Sequence, residues 1–324
     1  MKPRVLVTRR VYPAAIAVLN ESVAVDYKDT LEVMTEDQLV QRLQHADGLV
    51  CQLTDPVTAR VIASAPRLKV ISQVAVGHDN IDVQAATARG IVVTNTPDVL
   101  TEATADFTWA LLLATARRVP EAERFLKSGR WNRWDIDLLA GADVSHRTLG
   151  IVGFGRIGRA VARRALGFGM KVLYASRTRA SAEVEQELRA IHVPLDTLLA
   201  QSDFVSVHCP LNAETRGMIG IEQLSRMRRS AILLNTSRGP VVDEAALAAA
   251  LSERMIAGAG LDVFEREPAV DPDLLALPNV VLTPHVGSAT HATRQRMCTL
   301  AAENCVAVLT GKQPLNPVNP SVLA

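Results

Sequence analysis

The 324-residue sequence predicts an α/β protein with parallel sheets, and three observations carry that reading. Short apolar segments rich in β-branched residues alternate with helical stretches along almost the whole chain, the pattern left by strand–helix–strand crossovers. The alternation runs in two series, the second and stronger one starting at Leu149, and the length suits about two domains at ~100–200 residues each. A glycine-rich turn, Gly153-Phe154-Gly155-Arg156-Ile157-Gly158, joins an apolar strand to a helix.

In the first series Val5–Thr8, Gly48–Leu53, Lys69–Val74 and Ile91–Thr94 read as strands, with Thr35–Gln44 and Val57–Ala63 as helices between them. A long helix begins near Thr101 and runs through Ala110–Ala116 to Arg118; Thr101 is the expected N-cap, and Glu102 sits in the positive first turn. Gly129–Ser145, with Trp131 and Trp134, lacks periodicity and reads as an irregular excursion. The second series supplies strands at Leu149–Val152, Lys171–Ala175, Phe204–His208, Ala231–Asn235, Ala259–Val263 and Val280–Thr283, with helices such as Ile157–Phe168 and Asp243–Arg254 between them. Six strands with crossovers complete a doubly wound, Rossmann-like sheet. A last helix, Ser288–Leu309, ends at Gly311, a suitable C′ residue.

Composition narrows the function classes. Apolar residues make up 48%, enough for a sizeable core in each domain. A net charge of +1 argues against nucleic acid as the main ligand, because such proteins carry a strong basic excess. The four cysteines (Cys51, Cys209, Cys298 and Cys305) form no CxxC pair, and no His/Cys/carboxylate cluster has metal-ligand spacing, so no metal is expected. The apolar start Val5–Val7 is too short for a signal peptide, and no stretch approaches the ~18 apolar residues of a membrane span. A cytoplasmic protein is the expectation.

GxGxxG alone is a weak pattern; between strand and helix it becomes informative. Gly153 permits the tight turn, Gly155 lets backbone approach a pyrophosphate, and Gly158 lets helix and strand pack closely, while the helix N-terminus, opening with Arg156 and Ile157, offers N–H groups and a positive dipole. Sites that prefer NAD place an acid at the end of the second strand, ~20 residues on, to hold the ribose 2′-hydroxyl. Here that strand runs into Ser176-Arg177-Thr178-Arg179, with no acid until Glu183. Arg177 can pair a 2′-phosphate and Ser176 can donate to it, so NADPH/NADP is the predicted cofactor and NADH a weaker alternative. A solvated loop is the competing reading of those arginines.

Three polar residues sit where later strands end: Arg238 after Asn235-Thr236-Ser237, Glu267 after Asp262-Val263-Phe264, and His285 after Thr283-Pro284. Ligands bind at the carboxyl ends of such strands. An arginine would grip a planar carboxylate, a histidine would protonate a carbonyl oxygen as hydride arrives, and a carboxylate would orient the imidazole. Singly, each also fits a bland role: surface cation, loop charge, strand-end histidine.

Several ordered motifs covering nearly the whole chain resemble the D-isomer-specific 2-hydroxyacid dehydrogenase family: Thr148 to Arg177, Leu233–Gly239, Ala259–Phe264 with Glu267-Pro268, Thr283–Thr290, Val74–Asp82 and Thr96–Glu102. Within the family, Gly129-Arg130-Trp131-Asn132-Arg133-Trp134 and Ser176-Arg177 are most similar to glyoxylate/hydroxypyruvate reductases. The resemblance implies two Rossmann-like or flavodoxin-like domains: a discontinuous substrate domain, 1–98 with 287–324, and an inserted dinucleotide-binding domain, 99–286, with the active site in the cleft. It implies NADP(H)-dependent reduction of small 2-keto acids and a homodimer in which Trp134 reaches the partner's substrate pocket. Carried over by motif, Arg238 binds the substrate carboxylate and carbonyl, His285 is the acid/base and Glu267 supports it. Asp262 holds the nicotinamide carboxamide, Thr104 approaches the nicotinamide, and Pro210, beside Cys209, lies near the adenosine. Thr236 and Thr178 join the cofactor set. Val76 and Gly77 offer N–H groups to the carboxylate, and Ser288 lines the site. His208 and His78 receive no catalytic role. The same triad serves 2-ketogluconate reductases and phosphite dehydrogenases, and a dinucleotide-sensing corepressor is the non-enzymatic alternative.

Overall fold

Twelve strands arrange in two sheets, both with parallel pairing throughout, in the computed structural model, which describes residues 2–323. The first sheet holds β1 (Arg4–Val7), β2 (Ala24–Tyr27), β3 (Gly48–Cys51), β4 (Val70–Gln73) and β5 (Val92–Thr94), in the order β2-β1-β3-β4-β5. This is the flavodoxin-like order, with its switch point between β1 and β3. The second holds β6 (Thr148–Val152), β7 (Lys171–Ala175), β8 (Ala190–His192), β9 (Phe204–Val207), β10 (Ile232–Asn235), β11 (Gly258–Leu261) and β12 (Val280–Leu282), in the order β12-β11-β10-β9-β6-β7-β8. The chain divides into two compact units, Met1–Leu100 with Ser288–Ala324, and Thr101–Gly287.

The central strands form because their residues can be buried on both faces. All four residues of β3, β4, β9, β10 and β11 are buried, as a parallel sheet covered by helices on both sides requires. Each such Val, Leu or Ile contributes ~1.5–3 kcal/mol on burial. One apolar cluster covers one face of the large sheet through Leu198, Leu247 and Leu251; another covers the opposite face through Leu112, Trp109 and Val161.

Two strands depart from the sequence expectation. β2 and β8 are additional to it, so the large sheet has seven strands rather than six. Both lie at sheet edges, pair on one side, and carry mixed residues; Ile191 in β8 is 50% exposed. Edge strands need no continuous apolar run, so hydrophobic patterning misses them. Thr101 is the first helical residue of Thr101–Ala116 rather than its cap, a one-residue difference at a terminus.

The last helix, His291–Leu309, belongs to the first unit because one face is built to cover its sheet. Met297, Leu300, Ala301 and Cys305 are buried, and Gly48 in β3 has so little room that an added Cβ would lie 3.1 Å from both Cys305 Sγ and a Leu309 methyl. The buried Asn304 accepts from the N–H groups of Leu315 (2.9 Å) and Asn316 (3.3 Å), which turns the chain back along β5. No helix among the described residues is long and apolar enough to cross a membrane.

Candidate active site

The three glycines of the β6 turn differ in what surrounds them. Gly153 has φ +93°, and an added Cβ would lie 2.6 Å from the Cys209 backbone nitrogen; at Gly158 it would lie 2.3 Å from the Gly153 carbonyl oxygen. These two serve the turn and the packing of helix Arg156–Ala165 on β6. At Gly155 an added Cβ would meet nothing within 4 Å. The space over Gly155 is where backbone must come close to a phosphate, so the residues present fit a dinucleotide. Gly155 caps a helix that opens with exposed Arg156, while Ile157 packs into the core beneath. Cys209 is buried at the end of β9, against Gly153, and burial pushes its thiol up to about 11. His208 bonds the Ser206 hydroxyl at 2.8 Å, and burial of its ring pushes it down to about 4, so it is neutral at pH 7 and plays a structural part.

The loop after β7 is exposed. The Ser176 hydroxyl donates to the Thr178 carbonyl (2.7 Å), closing a tight turn. Arg179 is committed to Glu185 by two hydrogen bonds of 2.9 Å each. Arg177 projects with its side chain 84% exposed, and its charge partner is Glu214 at 3.7 Å.

At the carboxyl ends of β10, β11 and β12 the polar residues converge. His285 Nδ1 lies 2.7 Å from Glu267 Oε2, with both side chains part-buried at 29% and 25% exposure. Glu267 is fixed from its other oxygen, which accepts the Phe264 N–H at 3.0 Å. Burial alone would push the Glu267 carboxyl up; the hydrogen bond from His285, the nearby imidazole charge, the Phe264 N–H and Arg238 outweigh it, and the net shift is downward. Glu267 is therefore a carboxylate at neutral pH. His285 itself stands at φ +52°, an uncommon conformation for a non-glycine residue and one found where surrounding structure over-determines the backbone.

The constraint comes from Asp262. Its carboxylate accepts from Thr283 Oγ1 (2.7 Å), Val286 N–H (2.9 Å) and Gly287 N–H (2.8 Å), while its carbonyl accepts the His285 N–H (2.9 Å). Burial raises this carboxyl, and those donors counter the rise. Asp262 thus folds the histidine loop, leaving about one of its roughly four lone-pair sites for a ligand. Sequence reasoning assigned Asp262 to the cofactor and missed this role.

Asn235 does the same for Arg238. Its side-chain oxygen accepts from Ser237 N–H (3.0 Å) and Oγ (2.9 Å), and its nitrogen donates to the Arg238 carbonyl (3.0 Å). The Arg238 guanidinium also donates to the Ser237 carbonyl at 2.8 Å. Thr236, buried, shares a 2.9 Å hydroxyl contact with Thr108, and Thr104 is buried one turn earlier on that helix. The Asn-x-Ser spacing at a strand end was a readable turn signal. The next device was not readable. Gly239 lies against the loop after β11, where a Cβ would come 1.9 Å from the Phe264 carbonyl carbon. Glu244 and Glu265 also accept each other's backbone N–H, one contact at 3.2 Å.

In the first unit, the loop after β4 presents Val76 and Gly77 with their carbonyls turned inward, to Asn95 Nδ2 (2.8 Å) and Gln73 Nε2 (3.2 Å). Their N–H groups have no acceptor among the described residues. Ser288 follows the histidine loop, half-buried, and its carbonyl accepts the Thr290 N–H. Pro210 is exposed, and its carbonyl accepts from Thr215 Oγ1 at 2.6 Å. Trp134 is 72% exposed in an irregular stretch that also bares Trp131 and Ile136. Among the described residues no cluster of His, Cys, Asp or Glu is arranged to hold a metal ion.

Residues 109–287 match the family model for the D-isomer specific 2-hydroxyacid dehydrogenase, NAD binding domain. Over 326 aligned residues the chain is 53% identical to a glyoxylate reductase of Korarchaeum cryptofilum, spanning all of this chain and 98% of that protein. It is 50% identical to one from Thermococcus onnurineus, again over all of this chain and 98% of the relative. Among solved structures, an NADPH-dependent glyoxylate/hydroxypyruvate reductase from Sinorhizobium meliloti in complex with NADP and malonate is similar at TM-score 0.87 and 38% identity, covering 98% of this chain and 97% of that one. A protein from Thermus thermophilus is similar at TM-score 0.91 and 47% identity, covering 97% and 99%.

Proposed function

The chain belongs to the D-isomer specific 2-hydroxyacid dehydrogenase family, and from that premise we propose that it reduces glyoxylate and hydroxypyruvate to their 2-hydroxy acids with NADPH, in a homodimer. The observation that carries the chemistry is the 2.7 Å contact between His285 Nδ1 and the ionised Glu267 at the carboxyl edge of a dinucleotide-type sheet. Full-length relatives with glyoxylate reductase activity in their names support the substrate class.

Gly153, Gly155 and Gly158, with the first turn of Arg156–Ala165, would hold the pyrophosphate, and Arg177 the 2′-phosphate, joined by Ser176 once its hydroxyl turns from the Thr178 carbonyl. Pro210 and Cys209 would border the adenosine side, and Asp262, Thr104 and Thr236 the nicotinamide side. A bound nicotinamide would supply the hydride for the keto carbon. His285, protonated and held through Nδ1, gives its Nε2 proton to the carbonyl oxygen as that oxygen gains electron density. Glu267, 2.7 Å from Nδ1, keeps the ring oriented. Arg238 pairs the substrate carboxylate and stabilises charge developing on the oxygen. Val76, Gly77 and Ser288, and Trp134 from a second subunit, are the further residues proposed to bind substrate.

The test follows NADPH and NADH absorbance with glyoxylate, hydroxypyruvate and 2-ketogluconate, and with phosphite in the reverse direction. Fast NADPH oxidation with the two small acids supports the proposal; turnover confined to 2-ketogluconate or phosphite sinks the substrate reading. His285→Ala is expected to lower turnover by about 10²–10⁴-fold, the range for removing a general acid, while cofactor binding by fluorescence stays intact. Full activity in that variant would remove His285 from its role.

A further inference from the structure

The loops after β7 and β9 flank the place where the second strand ends, and they bring opposite charges together. Arg177 Nη1 stands 3.7 Å from Glu214 Oε2, with both side chains largely exposed. Glu214 is not a loosely hanging residue. Asn212 Oδ1 accepts its N–H (2.9 Å) and that of Thr215 (3.0 Å), and Thr215 Oγ1 bonds back to the Pro210 carbonyl (2.6 Å). The acid is therefore carried on a fixed turn anchored to the end of β9. Arg179, the other cation of the loop, is tied to Glu185 through two hydrogen bonds. The Arg177 contact, by contrast, is longer than a hydrogen bond and open to water, the kind of pair that exchanges at little cost.

We propose that Glu214 is a resident rival of the 2′-phosphate for Arg177, and that it thereby narrows the site's preference for NADPH over NADH. This deepens the reading of Ser176 and Arg177 as the 2′-phosphate site and rests on it. NADH carries no 2′-phosphate, so its binding leaves the exposed Arg177–Glu214 pair intact. NADPH must displace Glu214 from Arg177, which discounts the gain from the phosphate. The discrimination between the two cofactors is compressed from the NADPH side.

The test is calorimetric titration of the full chain with adenosine 2′,5′-bisphosphate and with adenosine 5′-monophosphate, probes that need no catalysis. Glu214→Gln is expected to tighten the bisphosphate about three- to fivefold, the scale of one exposed charge pair, and to leave the monophosphate unchanged. In an Arg177→Ala background the same substitution is expected to have no effect, because the rivalry needs the arginine. The NADPH/NADH ratio of kcat/KM should rise by the same factor in Glu214→Gln. If Arg177→Ala weakens the bisphosphate while Glu214→Gln leaves it unchanged, the rivalry is wrong and the 2′-phosphate reading stands. Equal tightening in both backgrounds means simple repulsion and also overturns it. If Arg177→Ala leaves bisphosphate affinity untouched, the 2′-phosphate reading itself falls.

Discussion

A single methyl group separates the jobs of the turn glycines. At Gly158 it would collide with the Gly153 carbonyl, and at Gly155 it would enter open space. Gly158→Ala is therefore expected to lower stability by ~1–3 kcal/mol, an overpacking cost, seen as a fall in Tm. Gly155→Ala should keep its Tm and lose NADPH affinity instead; equal Tm losses in both would contradict the assignment. At Glu267 the prediction concerns pH. Its folded-state pKa lies below the ordinary 4.5, so its contribution to stability is complete above that value and is lost as pH falls through the depressed one. The Tm gap between wild type and Glu267→Gln should close as pH falls below about 5. A gap that widens on acidification would mean the carboxyl is raised rather than lowered.

Between strand ends and loops, precision comes from backbone held by side chains. The loop after β11 carries Glu267. It is pinned by the close approach of Gly239 and by the reciprocal contacts of Glu244 and Glu265. Glu244 is buried, and that burial, with the neighbouring Glu265 charge, raises its carboxyl; an uncharged amide should substitute for it. Glu244→Ala is expected to lower kcat about fivefold, the effect of one lost hydrogen bond of ~1 kcal/mol on catalytic geometry, with cofactor affinity unchanged. Glu244→Gln should restore kcat, since it keeps the acceptor oxygen. Loss of kcat and cofactor affinity together in Glu244→Ala would indicate general damage, not positioning.

For the whole molecule, the feature that one chain does not explain is the apolar surface of residues 119–136. Val119, Leu126, Trp131, Trp134 and Ile136 are all exposed, from 53% at Val119 to 83% at Ile136. Exposed apolar groups gathered in one stretch of sequence suit an interaction surface, and we propose a second copy of the chain as its occupant. Replacing Trp131 and Ile136 together with Asp should give a monomer by light scattering. Trp134→Ala should leave the dimer intact and raise KM for glyoxylate. A wild-type protein that is monomeric at micromolar concentration would end both expectations.

The sequence alone determined the two parallel sheets, the glycine turn from β6 into its helix, and Arg238, Glu267 and His285 as the strand-end residues to watch. Buried strands need apolar runs, and a tight strand–helix turn needs glycine, so those demands are written locally. What it could not express were contacts between segments far apart in the chain. Asp262 folding the His285 loop, Gly239 against Phe264, Glu244 clasping Glu265, and Glu214 facing Arg177 each join residues whose neighbourhood exists only after the strands have paired. The edge strands β2 and β8 belong with them, because half-paired strands carry no apolar signature and form only beside a partner already in place. Local propensity and patterning decided which elements exist. Tertiary pairing decided which polar groups share a loop end, and so which carboxylate is ionised, which histidine stays neutral and which arginine meets an acid.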